Sequence, residues 1–296
     1  MRLSEVVKQV DGCQMICSGD FMCLEQCSRV RCANALVYIE SPAYIDTLDN
    51  ADITCVICTP ELLPLMPPHI KGIAVAEDPK RAFYQFHNHL IMKEEKTPTL
   101  IDPSANISPL AYIAPHNIVI GKNVEIQPFS VVHENSTLKD NVRICSGSII
   151  GGKSFNPVHD GPEQAFLALD GGQVLLEEGV EICSHSHVAR GILKNDITIL
   201  GAYTKVDAMV HIGHGTVIGR QTRIAAGAAI SGNCIIGSRV WIGVNATISN
   251  RIRVGDNARI SLGAVVTKDV PEGITVSGNF AIEHQRFLKN LKASIK

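Results

Sequence analysis

From Leu200 to Val266 an aliphatic residue occupies every sixth position without a miss: Leu200, Val206, Ile212, Ile218, Ile224, Ile230, Ile236, Ile242, Ile248, Val254, Ile260, Val266. A helix repeats every ~3.6 residues and a strand every ~2, so neither selects one residue in six. A hexapeptide repeat does, and it marks a parallel β-helix. Three hexads close one triangular coil of about 18 residues, with the ladder residue of each face pointing into the lumen. Coils this short are of the left-handed kind, an exception to the usual right-handed crossover.

The rest of the hexad fits that geometry. Two places before the ladder stand small or β-branched residues, among them Val210, Thr216, Thr222, Ala228 and Cys234, which a tight corner admits. Directly after it come Gly213, Gly219, Ala225, Ser231 and Gly237, expected to let the chain turn sharply between faces. Upstream, Ile101, Ile107 and Ile113 keep the register, one residue is gained, and Ile120, Ile126, Val132, Leu138, Ile144 and Ile150 continue. The stretch Gly151 to about Gly172, rich in Gly, Pro and His, reads as a loop expelled from the stack before Leu176, Ile182 and Val188 resume. Long loops on rigid scaffolds commonly carry function.

A net charge of −2 argues against a nucleic-acid binder, whose affinity rests on neutralising phosphates. No apolar run reaches the ~18 residues of a membrane span. The start MRLSEVVKQV carries Glu5 and has no apolar core, so it reads as a short amphipathic helix rather than a signal peptide. The expected location is cytoplasmic.

Cys13, Cys17, Cys23, Cys27 and Cys32 cluster near the N-terminus, but their spacing does not match the paired C-x2-C hooks of a zinc knot. Reduced thiols are the simpler expectation, with no metal. Cys55 and Cys58 lie in ITCVIC, a buried-strand pattern in which residues three apart face opposite ways.

The hexad is absent from residues 1–100, where helical and strand-like stretches alternate, as expected of a small α/β domain. The β-helix is assigned to 101–270 and a C-terminal turn and short helix to 271–296, the turn starting at Asp269-Val270-Pro271-Glu272-Gly273. The whole is thus mainly β.

The richest outward stretch is Val210-His211-Ile212-Gly213-His214-Gly215. His214 lies two places after a ladder residue and so leaves a corner outward. Eighteen residues on is Gly232, one coil above (214 + 18 = 232). A base beneath a glycine N–H suits acyl transfer: the base takes the proton of the attacking group and the N–H holds the oxyanion.

The run Lys205-Val206-Asp207-Ala208-Met209-Val210-His211-Ile212-Gly213-His214-Gly215-Thr216-Val217-Ile218-Gly219 resembles the active-site stretch of the UDP-3-O-acylglucosamine N-acyltransferases of lipid A synthesis, roughly K-x-D-N-x-x-x-I-A-H-N-x-x-I-G. The MxLSE start, the loop Gly152-Lys153-Ser154-Phe155 and the pair Arg190-Gly191 recur in the same order. The resemblance implies His214 as general base and Gly232 as oxyanion donor. Asp207 is a candidate to orient the imidazole, with His211, Arg190 and Arg251 beside the substrate. It also implies a uracil stacked between two aromatics, here Tyr38 and Tyr44 in Tyr38-Ile39-Glu40-Ser41-Pro42-Ala43-Tyr44, with Ser41 where the family has an amide. Two core tyrosines would fit those positions as well.

Departures are specific. The family asparagines fall on Ala208 and Gly215, its D-R-G becomes Ala189-Arg190-Gly191, and a second histidine falls on Arg251. The C-terminal helices that dock acyl carrier protein shorten to one, and VVTKDVPEGITVSGNFA resembles the close of acetyl-CoA-dependent hexapeptide acetyltransferases. The expectation is a homotrimeric N-acyltransferase acting on a UDP-linked amino sugar. Its co-substrate is an acyl-CoA or acyl carrier protein thioester, and no cofactor is tightly bound. An acetyl-CoA-dependent N-acetyltransferase of another nucleotide amino sugar is the near alternative. A zinc protein resembling γ-class carbonic anhydrases, drawing on His185, His187, His211 and His214, and a non-catalytic sugar-nucleotide sensor are the distant ones.

Overall fold

A computed structural model describes residues 1–161, 163–278 and 282–294. The hexads build a left-handed parallel β-helix with three flat faces. The first face runs from Asn106–Ile107 to Thr275–Val276, the second from Tyr112–Ile113 to Val265–Val266, and the third from Leu100–Ile101 to Arg253–Val254. Ladder residues pair with ladder residues one coil apart, Val206 with Ile224 and Ile212 with Ile230 among them. From Ile120 upward they form one continuous buried core. The lowest coil differs from expectation: Ile101 is 47% exposed and Ile107 and Ile113 are half-buried, because no coil lies beneath them.

The small residue after each ladder position has a different cause from the one expected. The sharp turn falls three places after the ladder, where Met209, Gly215, Gln221, Gly227, Asn233 and Arg239 take φ between 57° and 69°. Positive φ is costly for side chains other than Gly, Asn and Asp, and the repeat imposes it all the same. The residue directly after the ladder instead meets the next coil: a Cβ on Gly213 would lie 2.5 Å from the Gly232 nitrogen. At the position before the ladder strand, buried hydroxyls tie coils together, as Thr216 Oγ1 does by donating to the Ser231 carbonyl at 3.0 Å.

Two segments leave the stack, both at the edge between the second and third faces. The first contains an antiparallel hairpin, Pro157–His159 with Ala165–Leu167, where only a loop was expected. The second, residues 190–196, was not foreseen. Register partners Leu176 and Leu200 stand 24 apart instead of 18, so six residues are extra (24 − 18 = 6).

The N-terminal domain is a five-stranded sheet of β1 (Cys13–Cys17), β2 (Cys23–Leu24), β3 (Ala35–Ile39), β4 (Ile53–Cys58) and β5 (Gly72–Ala76), in the order β1-β5-β4-β3-β2 with only β1 antiparallel. Helix α1 (Leu3–Gln9) buries Leu3 and Val6. Helix α2 (Pro79–Met92) starts where Asp78 Oδ1 accepts the Arg81 N–H at 2.7 Å and Pro79 presets the first turn. Its Ala82, Phe83 and Phe86 fill the core beside Cys55, while Cys58 packs on the opposite side of β4, as the strand parity requires.

Two expectations are corrected. Cys23 and Cys32 form a disulfide instead of remaining reduced, leaving Cys13, Cys17, Cys27, Cys55, Cys58, Cys145, Cys183 and Cys234 as free thiols. The β-helix also continues past residue 270, since Thr275–Val276 pairs with Arg259–Ile260 on the first face. Helix α3 (His284–Ser294) follows, exposed except at the half-buried Leu288 where its side chains are described. Asn279, Phe280 and Ala281 of the expected turn lie outside the described residues. No described helix is long and apolar enough to cross a membrane.

Candidate active site

One edge of the prism, between the second and third faces, collects the chemistry. His214, Gly232 and Arg251 sit on it in three successive coils, just above both excursions. His214 and Gly232 touch: a Cβ on Gly232 would lie 2.6 Å from His214 Nε2. Among the described residues the Gly232 N–H has no acceptor. The Asn233 N–H donates to the His214 carbonyl at 2.7 Å, which locks the two turns together.

The His214 ring is half-buried, and burial holds its pKa below the ordinary histidine value. A neutral imidazole at pH 7 is the protonation state that a general base needs. Its Nδ1 is buried without a hydrogen-bond partner among the described residues. The structure does not bring Asp207 to it. Asp207 stands at the previous corner, where Oδ1 accepts the Ala208 N–H at 2.7 Å and the side chain lines a cavity on the first face. The carboxylate that bears on His214 is Asp196, in the second excursion.

Residues of the N-terminal domain hold this edge in place. The Arg29 guanidinium donates to the Gly215 carbonyl at 3.1 and 3.2 Å and to Asn233 Oδ1. Arg31 pairs with the nearly buried Asp196 at 2.7 Å, and Asn195 Nδ2 donates to Glu25 Oε1 at 3.0 Å. None of these was anticipated, because Arg29 reaches across 186 residues of sequence to Gly215 and no local pattern records that.

Tyr38, Tyr44 and Arg251 line one pocket of about 220 Å³ together with Glu40, Lys80 and Asn156. The two tyrosines differ in setting. Tyr38 packs on Phe83 at 5.0 Å and Tyr84 at 6.0 Å between ring centroids, and burial raises its hydroxyl pKa. Tyr44 is 43% exposed. Ser41 serves the backbone, its Oγ accepting the Ala43 N–H at 3.3 Å at the start of the turn that carries Tyr44. Arg251 lines this pocket and stands on the same edge as His214, so it joins the two.

On the second face beside that edge, His187 and His211 stack on adjacent rungs, rings 6° apart in plane and Nδ1 atoms 3.2 Å apart. Burial, then His211, then His133 push the His187 pKa down to about 4. His133 is also held low, by burial and by Arg190. Arg190 donates from Nη1 to the Glu134 carbonyl at 3.0 Å, while its Nε is buried without a described partner. The four histidines of the zinc reading do not converge in one chain. His185 sits in a left-handed turn at the edge between the first and second faces, and among the described residues no set of three ligands includes any of them.

Comparison with known proteins bears on this geometry. Residues 117–152 match the family described as bacterial transferase hexapeptide (six repeats). The chain is 24% identical over 205 residues to the UDP-3-O-acylglucosamine N-acyltransferase of Helicobacter pylori, covering 61% of this chain and 60% of that protein. It is 27% identical over 201 residues to the Helicobacter hepaticus enzyme of the same name, with 60% and 59% covered. It therefore spans about 60% of the length of these curated relatives. Among solved structures, Francisella novicida UDP-N-acetylglucosamine acyltransferase aligns with a TM-score of 0.52 at 24% identity, over 66% of this chain and 72% of that one. The Campylobacter jejuni UDP-N-acetylglucosamine acyltransferase aligns at 0.50 and 18% identity, over 66% and 81%. These two likenesses establish the fold. The chain resembles the UDP-3-O-acylglucosamine N-acyltransferases among hexapeptide-repeat proteins.

Proposed function

We propose that this protein is an N-acyltransferase that moves an acyl group from a thioester to the amine of a UDP-linked amino sugar. The observation that carries the reading is the contact of His214 Nε2 with the side-chain-free face of Gly232. The amine attacks the thioester carbonyl carbon and His214 takes its proton. The Gly232 N–H donates to the oxygen that becomes the oxyanion. Collapse breaks the carbon–sulfur bond, and the proton returns to the leaving thiolate.

The nucleotide stacks against Tyr44 and the exposed edge of Tyr38, with Lys80 and Arg251 facing the diphosphate. Base stacking on an aromatic contributes about 1–3 kcal/mol and suits this pocket. The relatives named above act on UDP-linked glucosamine, which supports a uridine nucleotide here. Eight of ten cysteines are free thiols, in keeping with a cytoplasmic location.

Three copies assemble around a threefold axis. Phe129, Met209 and Leu262, each at least 63% exposed, run down the edge between the first and second faces and offer an apolar seam for a second copy. The thioester then lies in the groove between neighbouring copies.

The test is a screen of UDP-linked amino sugars against acetyl-CoA, longer acyl-CoAs and acyl carrier protein thioesters, read by mass spectrometry, with mass measured by light scattering alongside. The expected result is one acylated UDP-amino sugar and a trimeric mass. An intact amine with every pair, from protein that still binds UDP, would favour the sensor reading instead.

A further inference from the structure

The edge between the first and second faces carries a separate set of reactive side chains. Cys145 and Cys183 each follow a ladder residue directly, and those ladder residues, Ile144 and Ile182, are register partners. The thiols therefore occupy the same corner of two stacked coils, beside the 2.8 Å bond from the Cys145 N–H to the Ile182 carbonyl. Glu181 completes the group: the two Sγ atoms and a Glu181 carboxylate oxygen all lie within 4.8 Å of one another. Asp207 is next along the edge, because Ile182 pairs with Val206. A cavity of about 440 Å³ on the first face, lined by Glu181, Cys183 and Asp207, lies beside the group.

Packing alone does not call for sulfur here. Later coils place Ala225, Gly243 and Ser261 at the same corner, so the fold accepts small side chains or a hydroxyl there. What distinguishes this pair is what it spans. Ordinary register partners stand 18 residues apart, whereas Cys145 and Cys183 stand 38 apart (183 − 145 = 38), because the first excursion leaves the stack between them. A ligand held by both thiols fastens the coil below the excursion to the coil above it.

We propose that Cys145, Cys183 and Glu181, with water as the fourth ligand, form a site for a thiophilic divalent cation of the zinc class. Two sulfurs with a carboxylate oxygen suit zinc, whereas calcium and magnesium demand oxygen throughout. Zinc–sulfur bonds of about 2.3 Å in a tetrahedron set the sulfurs about 3.8 Å apart, a spacing inside the 4.8 Å within which the two thiols and the carboxylate lie. Binding releases the two thiol protons to solvent. Glu181 is paired with Lys205 at 3.1 Å and lies 3.6 Å from Arg143. Both cations are about half exposed and long, so they move to water at little cost.

The test is zinc titration of metal-stripped full-length protein with its free thiols reduced, followed by calorimetry and melting temperature, with cobalt as the spectroscopic probe. Cys23, Glu25 and Cys32 also lie within 4.8 Å of one another, so every titration is repeated in Cys23→Ser/Cys32→Ser. The expected result is one zinc per chain in both proteins, a thiolate–cobalt charge-transfer band, and a raised melting temperature. Cys145→Ser/Cys183→Ser should weaken binding about a hundredfold or more and abolish the band, and Glu181→Gln should weaken it about tenfold. Serine already occupies this corner at Ser261, so the double variant is expected to fold. Zinc binding retained in Cys145→Ser/Cys183→Ser overturns the proposal. So does a wild-type protein that binds no zinc but closes a Cys145–Cys183 disulfide when treated with glutathione disulfide.

Discussion

Gly232 lacks a side chain where the His214 ring lies: a Cβ there would stand 2.6 Å from Nε2 and 2.9 Å from both neighbouring ring carbons. In the proposed mechanism the glycine thereby leaves its N–H and the imidazole facing one reacting centre. Gly232→Ala must displace the ring or the turn by several tenths of an ångström. A misplacement of about 1 Å can cost about a hundredfold in rate. We expect Gly232→Ala to lower kcat by about 10–100-fold while UDP affinity stays within about twofold. Steady-state kinetics beside calorimetry check this, and an unchanged kcat would detach the glycine from the reaction.

The two tyrosines should part company on substitution. Tyr44 is 43% exposed, so Tyr44→Ala removes a remote contact made equally in ground and transition states. KM for the nucleotide sugar should rise about tenfold with kcat nearly unchanged. Tyr38 stands in an aromatic cluster with Phe83 and Tyr84, so Tyr38→Ala should in addition lower the melting temperature. Equal UDP affinity in wild type and both variants would return these residues to a purely structural role.

Acid should destabilise the second face. His187 titrates near 4 in the folded chain and near the ordinary value of about 6.5 when unfolded. Between those values the unfolded state binds more protons, so stability is present above about 6.5 and is lost as pH falls toward about 4. His211, His133 and His214 are held low and act in the same direction, with Arg190 adding to the repulsion at His133. His187→Gln should lose less stability than wild type between pH 7 and pH 5 in denaturant titrations, whereas parallel curves would contradict the stack.

The β-helix was legible because the narrow lumen takes an aliphatic at every sixth position, so the period stands in the string from Ile120 upward. His214 and Gly232 were legible for the same reason: 18 residues make one coil, and stacking follows from counting. The second excursion was hidden because Lys194 stands at a skipped ladder step in a segment still bounded by Val188 and Leu200. Asp207 misled because nearness in sequence crosses a corner and arrives on a different face. Arg29, Arg31 and Lys80 left no signal, since contacts between a sheet domain and a prism edge have no period. Arg251, expected beside the substrate although it stands where the family has a histidine, lines the pocket and sits on the same edge as His214.

The acyl donor can be tested directly. Helix α3 is a single element of 11 residues, with Arg286, Lys289 and Lys292 on it and Lys296 outside the described residues. A basic surface of three described side chains suits the phosphates of a coenzyme A thioester better than a docked carrier protein. We expect kcat/KM for acetyl-CoA to exceed that for a hydroxyacyl carrier protein. A carrier preference of about a hundredfold or more would reverse this assignment.

The most direct measurement is the rate at which His214→Ala acylates the UDP-linked amino sugar identified with wild type, followed by mass spectrometry in single turnover. His211→Ala serves as control for the neighbouring imidazole. Removal of the general base should lower the rate by about 10²–10⁴-fold, leaving UDP binding and the circular dichroism of the β-helix intact, with a smaller loss in His211→Ala. A His214→Ala protein that keeps more than about a third of the wild-type rate would contradict the account at its centre.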